Sequence, residues 1–171
     1  SSPEGNLYLS FLRNSENDKS KNIFAPVFIV AIVIAHSIKD LSCNKIVPNI
    51  KWPNDILLKK AKVAGILIEN IALSKSPNIL NIGFGINIVS NPTNTLYPAT
   101  NLKAEGIETN SKEFIKVFFK NLKSFEEIYI REGINEIYRI WSLLGHKIGE
   151  PISVKIGEKK NDPISMYLND I

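Results

Sequence analysis

The chain has 171 residues, which is enough for one domain, or for one domain and a fragment of a second. Its composition, 44% hydrophobic and 22% charged, is that of an ordinary globular protein and excludes a disordered or fibrous chain. The net charge of +4 comes from scattered lysines, so it suits a nucleotide or phosphate ligand and argues against nucleic-acid binding by this segment. The single cysteine, Cys43, excludes an intramolecular disulfide and fits a reducing, cytoplasmic environment.

The first predicted elements are a strand and a buried helix. Residues 7–12 have strand character, and the polar residues 14–22 form a loop. The apolar stretch that begins at Ile23 predicts a buried helix over about residues 23–41, with Pro26 in the first turn, where proline is tolerated. Its apolar core, residues 27–35, is shorter than the roughly 20 residues that span a bilayer, so no membrane role is expected.

Short strands and then two helices are predicted for the rest of the chain. The strands lie near residues 47–52, 55–58, 62–70 and 79–88. An amphipathic helix begins at residues 110–111, and Gly133 separates it from a second helix over about residues 134–144. A linker at residues 145–151 precedes another alternating, strand-like segment at residues 152–156.

The most informative segment joins two of these strands. It places a cation, an aromatic ring, a proline, an amide and a carboxylate side by side, in the order Lys51-Trp52-Pro53-Asn54-Asp55. Proline has a fixed φ and no N–H, so it breaks the sheet at a bulge or at a strand end. Asparagine and aspartate after such a break can bond their own backbone and hold a sharp turn. A hairpin connection with ordinary turn residues is therefore the alternative to a functional site.

A lysine and three glycines follow in the next two strands. Lys62 stands at the mouth of the apolar run 63–69, which contains Gly65, and a glycine inside a strand often marks the close approach of a ligand or another backbone. Gly83 and Gly85 alternate in one strand, so both lie on the same face and leave a slot for a flat ligand. The alternatives are a solvated strand-end charge for the lysine, and a bulge or tight sheet crossing for the paired glycines.

Taken together and in this order, these motifs resemble the catalytic domain of biotin–protein ligases. The resemblance covers roughly residues 1–157. It rests on the segments 2–10, 51–55, 62–67, 83–87 and 99–102, in the last of which Asn101 stands where the family has serine. The family carries a glycine- and arginine-rich loop just before the first of these segments. The resemblance therefore implies a larger protein, with an N-terminal portion, and any DNA-binding segment in it, outside this sequence.

The resemblance implies an α+β fold, with a mixed β-sheet and helices packed on one face, similar to biotin/lipoate ligases and class II aminoacyl-tRNA synthetases. Residues 1–148 would form the catalytic domain without its N-terminal portion, and residues 149–171 the start of a small SH3-like barrel. Too few residues remain to complete such a barrel, and Asn161-Asp162-Pro163 interrupts it. Either the chain is truncated, or residues are missing between Lys160 and Pro163.

The resemblance also implies a reaction and its cofactors. Biotin–protein ligases use ATP and Mg²⁺ to convert biotin to biotinyl-adenylate, and they then pass biotin to a lysine of a biotin carboxyl carrier protein, a subunit of acetyl-CoA carboxylase. Lys62 would be the catalytic cation that holds the biotin carboxylate and offsets developing charge. Asp55, together with Asn54, would face the phosphates and the Mg²⁺ ion. A fragment without the arginine-rich loop would be a poor enzyme that still binds biotin weakly.

The other matched residues would line the biotin and adenylate pocket. The three glycines would let the biotin rings and the adenylate lie against the backbone, and Asn87 would hydrogen-bond the adenine, since an amide supplies a donor and an acceptor together. Lys51 belongs to the same expected pocket. Trp52 and Tyr8 would form its walls, with simple core packing as the alternative for both.

Two other functions fit parts of the pattern. A lipoate- or octanoate-transferring enzyme of related fold shares the glycines and the lysine, but not the string of residues 51–55. A non-catalytic, biotin-sensing regulatory module would use the same slot without turnover. Comparing the binding of biotin with that of lipoate distinguishes a biotin ligase from the first alternative. Turnover by the full-length protein distinguishes it from the second. A homodimer is left open by the sequence.

Overall fold

The structure is a computed structural model, and it describes residues 2–14, 25–73, 76–145, 151–154 and 164–167. Within these ranges, three helices accompany a five-stranded sheet and a two-stranded hairpin. The strands are β1 (Leu7–Asn14), β2 (Asn49–Lys51), β3 (Asp55–Leu58), β4 (Ala61–Leu73), β5 (Ser76–Ile86), β6 (Pro151–Val154) and β7 (Ile164–Tyr167). The helices are α1 (Ala25–Leu41), α2 (Ser111–Glu132) and α3 (Ile134–Leu144).

The main sheet has the strand order β1-β5-β4-β3-β2, and each neighbouring pair is antiparallel. β2 to β5 follow one another through short connections, which can join antiparallel strands but not parallel ones. Parallel pairing in the described ranges is limited to an isolated bridge between Lys62 and Ala99. The predicted α+β class is confirmed, whereas the expectation of a mixed sheet is wrong for these strands.

The helix α1 lies beneath the sheet and is buried along nearly its whole length. It contacts α2 and α3 as well as the strands β2, β3 and β4. Its first turn contains Pro26, as predicted, and the predicted residues 23–24 lie outside the described ranges. The largest of its fully buried side chains are Ile29, Ile32, Ile34 and Ile38. Burial on all sides explains its uniformly apolar sequence. Across the described helices, none combines the length and the apolarity that a bilayer crossing requires.

The helix α2 is capped at both ends. Asn110 Oδ1 accepts a hydrogen bond from the backbone N–H of Glu113 at 3.0 Å. Gly133 has a φ of 81° and donates its N–H to the carbonyl of Tyr129 at 2.9 Å. A φ in this region favours glycine, so the chain leaves the helix here. The predicted start of α2 and the predicted break before α3 are confirmed.

The strands β6 and β7 form an antiparallel hairpin near the C-terminus. The rest of the expected SH3-like barrel, the domain boundary near residues 148–149 and the suspected gap between Lys160 and Pro163 lie outside the described residues. The division into two domains therefore stays a prediction.

Candidate active site

Five of the predicted site residues lie in one row that crosses the whole main sheet. From β1 to β2, the register places Tyr8 opposite Gly85, Gly85 opposite Gly65, Gly65 opposite Asp55, and Asp55 opposite Lys51. The residues on either side of the two glycines along β4 and β5 are buried against the helices. Because side chains alternate between the faces of a sheet, this central row lies on the opposite, open face.

A β-bulge places the predicted catalytic lysine on the same open face. β3 pairs with Ala64 and then directly with Lys62, so Val63 is an extra residue in β4. Strict alternation would give Lys62 the buried face that Ala64 occupies. The bulge re-aims Lys62 toward Gly65, while Val63 is fully buried. The sequence analysis did not foresee the bulge, although its signal is two adjacent apolar residues between the lysine and the glycine.

Lys62 forms an ion pair with Asp55 across the central row. The distance from Lys62 Nζ to Asp55 Oδ1 is 2.5 Å, and the two side chains are 46% and 23% exposed. Gly65 lies directly under this pair. A Cβ at Gly65 would stand 3.1 Å from both Cε and Nζ of Lys62 and 3.6 Å from Asp55 Oδ1. The glycine therefore leaves the space through which the lysine reaches the carboxylate.

The two alternating glycines of β5 line an open cavity on this face. Its volume is about 510 Å³, and its lining includes Gly83, Gly85, Ser10 and Tyr8. A Cβ would lie 3.2 Å from Ser10 Oγ at Gly83, and 3.3 Å from Tyr8 Cδ1 at Gly85. Tyr8 is 48% exposed, so it is a wall of the cavity and not a core residue. The predicted slot on one face of β5 is present.

A second cavity of about 460 Å³ adjoins the first at Lys62 and continues toward the loop 92–98. Its lining includes Lys51, whose ammonium nitrogen lies 4.6 Å from the centre of the Tyr97 ring. This is the geometry of a cation–π contact. The sequence analysis missed Tyr97, because a loop of asparagine, threonine and proline gives no indication of which strand it covers.

Asn87 lines the second cavity and also fixes the segment that closes it. Its Nδ2 donates to the carbonyl of Thr100 at 3.0 Å, and its own carbonyl accepts from the N–H of Leu102 at 2.9 Å. The side-chain oxygen of Asn87 accepts no hydrogen bond from the described residues. The side-chain NH2 group of Asn87 therefore holds the segment at Thr100 in place, and the side-chain oxygen is available to accept a hydrogen bond from a ligand.

Asn54 and Trp52 lie to one side of the central row. Asn54 Nδ2 donates to the carbonyl of Ile66 at 2.6 Å, and the N–H of Ile66 donates back to the carbonyl of Asn54 at 2.9 Å. Asn54 thus ties the turn to β4 and does not bond its own backbone. Trp52 is 38% exposed and lines another, apolar cavity of about 400 Å³ beside Phe28 of α1, whose lining shares Asn54 with the glycine-lined cavity. The structure does not bring Trp52 into the row.

Glu105, which the sequence analysis missed, joins two segments that flank Lys62. Its Oε2 lies 2.9 Å from Lys59 Nζ in the β3–β4 turn, and its Oε1 accepts from Thr100 Oγ1 at 2.8 Å. The Glu105 side chain is only 12% exposed. The hydrogen bond with Lys59, and after it the one from Thr100, holds the pKa of Glu105 below its ordinary value. Thr100 in turn donates its N–H to the carbonyl of Lys62 at 2.9 Å, so the contact extends to β4.

Replacing Glu105 with glutamine should lower the free energy of unfolding by about 1 kcal/mol near neutral pH, because the ion pair is lost and Lys59 is well exposed. A carboxyl with a lowered folded pKa contributes stability above its unfolded value, near 4.5, and loses it as the pH falls through the folded pKa. The difference between variant and wild type should therefore shrink below that pH. Urea unfolding of both proteins at two pH values measures this difference in the free energy of unfolding. A difference that does not depend on pH would contradict its assignment to the ion pair.

The donor set at Asp55 fits a Mg²⁺ ion held mainly by phosphates. Mg²⁺ in nucleotide sites is often bound by one or two carboxylates together with substrate phosphates and water. In the described part of the chain, no three histidine, cysteine, aspartate or glutamate side chains group as a metal cage. Asp55, as one carboxylate beside an open cavity, is compatible with a Mg²⁺ ion that is bound by a carboxylate together with phosphates and water.

The open face of the antiparallel sheet thus brings a lysine–aspartate pair and a glycine-lined slot together. The family model described as "Biotin/lipoate A/B protein ligase family" matches residues 1–87, about half of the sequence. The chain belongs to the biotin/lipoate A/B protein ligase family. The resemblance inferred from the sequence motifs is thereby confirmed.

The curated relatives of the chain include two bacterial ligases. The chain is 28% identical over 163 residues to the bifunctional ligase/repressor BirA of Escherichia coli K12, covering 93% of this chain and 50% of that protein. It is 27% identical over 127 residues to the biotin–[acetyl-CoA-carboxylase] ligase of Paracoccus denitrificans, covering 71% and 53%. The chain thus spans about half the length of these relatives.

Solved structures support the fold. The Aquifex aeolicus biotin protein ligase in complex with biotin and ATP matches with a TM-score of 0.73 at 24% identity, covering 94% of this chain and 65% of that one. The Leishmania major biotin protein ligase with biotinyl-5-AMP matches with a TM-score of 0.65 at 19% identity, covering 91% and 72%.

Proposed function

We propose that the protein is an ATP-dependent biotin–protein ligase, which activates biotin as biotinyl-5′-AMP and transfers it to a lysine of a biotin carboxyl carrier protein. One observation carries this proposal: the Lys62–Asp55 pair lies over Gly65, directly beside the slot of Gly83 and Gly85. The names and folds of the relatives support the same assignment.

In the first step, a carboxylate oxygen of biotin attacks the α-phosphorus of ATP, and the bond to the β-phosphate oxygen breaks to release pyrophosphate. Both reactants are anions, so a fixed cation between them lowers the barrier. Lys62 would be that cation, a role that its presence in the lining of both the slot and the second cavity supports. Asp55 keeps the ammonium in place. A Mg²⁺ ion near Asp55 would neutralise phosphate charge.

In the second step, the neutral amine of the acceptor lysine attacks the activated carbonyl carbon, AMP leaves with the bonding electrons, and the amine nitrogen gives up a proton to water. The product is an amide between biotin and the carrier protein. Lys62 would stabilise the negative charge that builds up on the oxygens of this centre. The open face of the sheet leaves the reacting atoms accessible to a second protein.

The two cavities would divide the intermediate between them. The fused biotin rings would lie against Gly83 and Gly85 with Tyr8 as a wall, since only positions without side chains leave room for a flat ring system. The adenylate would occupy the second cavity, with the side-chain oxygen of Asn87 toward the adenine. Lys51, whose ammonium lies over the Tyr97 ring, would line the same cavity.

Calorimetry with biotin and with lipoate tests the proposal. Biotin should bind and lipoate should not, and pyrophosphate release should depend on both biotin and ATP. Tighter binding of lipoate would favour the lipoate or octanoate alternative, which the name of the family leaves open. Biotin binding without turnover by the full-length protein would favour a regulatory module. A carrier protein as acceptor, a homodimer and a cytoplasmic location stay predictions.

A further inference from the structure

The turn between β3 and β4 carries two lysines in a conformation that lysine disfavours. Lys59 has a φ of 47° and Lys60 a φ of 70°. A two-residue hairpin turn with both φ values positive favours Asn-Gly or Asp-Gly, because a Cβ crowds the backbone there. The requirements of the turn alone do not explain two lysines at these positions.

The lysines around the second cavity differ in how their charges are compensated. The ammonium of Lys62 pairs with Asp55, that of Lys51 lies over the Tyr97 ring, and that of Lys59 pairs with Glu105 outside the cavity lining. Lys60 lines the cavity as well. Within the described residues, Lys60 is the cavity-lining lysine with neither a carboxylate nor an aromatic partner.

The surrounding contacts hold the turn in place. The salt bridge between Lys59 and Glu105, and the hydrogen bond from Thr100 to Glu105, attach the turn to the segment that follows the loop 92–98. Lys60 therefore sits on a tethered turn, and it lines the second cavity but not the glycine-lined one. Three ammonium groups against one carboxylate give this cavity a positive balance that suits a polyphosphate.

We propose that Lys60 binds the terminal phosphates of the nucleoside triphosphate, a role that rests on the proposed ligase function. Lys62 lines both cavities, so the attack on the α-phosphorus would take place beside it, whereas Lys60 lines the second cavity alone. When the bond between the α-phosphorus and the bridging oxygen breaks, the electron pair leaves with pyrophosphate. The ammonium of Lys60 offsets that charge without transferring a proton.

Lys60→Asn in the full-length protein tests the proposal, because asparagine suits a positive φ and the variant should fold as well as the wild type. The KM for ATP and the inhibition constant for pyrophosphate should both rise about two- to fivefold, the range of one exposed charge pair. The KM for biotin should stay unchanged. Lys60→Arg should retain most of the ATP affinity, and Lys45→Asn, which removes an exposed lysine outside the cavity lining, should change neither constant.

The outcomes separate this inference from the function on which it rests. If the wild type forms biotinyl-adenylate and Lys60→Asn has an unchanged KM for ATP, the role of Lys60 is wrong and the ligase function stands. If the KM for biotin rises equally, the variant has disturbed the whole site, and the specific role is again wrong. If the wild type forms no adenylate from biotin and ATP, the proposed function fails and the role of Lys60 fails with it.

Discussion

Replacement of Lys62 by alanine is expected to reduce biotinyl-adenylate formation to a small residual rate while leaving the fold intact. The ammonium is the charge that the proposed mechanism places between two anionic reactants, and removal of one such preorganised group slows an enzyme by about a hundredfold or more. The side chain is 46% exposed and emerges from a bulge, so its loss leaves no cavity in the core.

Pyrophosphate release and direct detection of the adenylate measure this effect, and circular dichroism reports on the fold. Lys120→Ala, which removes an exposed lysine of α2, is the matched control and should behave as wild type. Lys62→Arg keeps a charge but not the compact ammonium, and should recover only part of the activity. If Lys62→Ala made the adenylate within a few fold of the wild-type rate, Lys62 would not be the catalytic cation.

Replacement of Gly65 by alanine should reduce turnover by roughly ten- to a hundredfold, because a small displacement of a catalytic group has effects of this size. The new methyl group would lie 3.1 Å from the end of the Lys62 side chain and would push the ammonium away from Asp55. Since the displaced atoms belong to a flexible side chain, the melting temperature should change little.

A double-mutant cycle shows whether Gly65 acts through Lys62. In a Lys62→Ala background, the further change Gly65→Ala should have almost no effect on the remaining rate. Gly106→Ala is a contrasting control: Gly106 has a φ of 80° and no atom within 4 Å of its would-be Cβ, so this variant should lose stability but not activity per folded molecule. Equal effects of Gly65→Ala in both backgrounds would mean that the glycine contacts the ligand directly.

The sequence predicts those parts of the fold that depend on local pattern. The helix at residues 134–144, the cap near Ser111 and the shared face of Gly83 and Gly85 follow from periodicity and from the properties of single residue types. Strand boundaries are recovered to within a few residues for the same reason. The antiparallel sheet was missed because the mixed arrangement came from the resemblance and not from the lengths of the connections.

The features of the site that the sequence did not predict depend on contacts between residues that are distant in the sequence. The position of Tyr8 beside Gly85 depends on β1 pairing with β5, and the position of Lys62 depends on one extra residue in β4. Glu105 and Tyr97 act from irregular segments, and their partners are fixed only by tertiary contacts. Motif matching found residues at the site without revealing how they are arranged.

The central row has a consequence for the order in which the site can form during folding. Four of its five residues, from Lys51 to Gly85, belong to the successive hairpins β2 to β5, whose chain closures are short. The fifth, Tyr8, joins only when β1 pairs with β5, and these two strands are separated in the sequence by α1 and by β2 to β4. Closure entropy favours the short loops over the long one. We therefore expect the half of the site that holds the lysine–aspartate pair to form first, and the tyrosine wall of the slot to form when β1 pairs with β5.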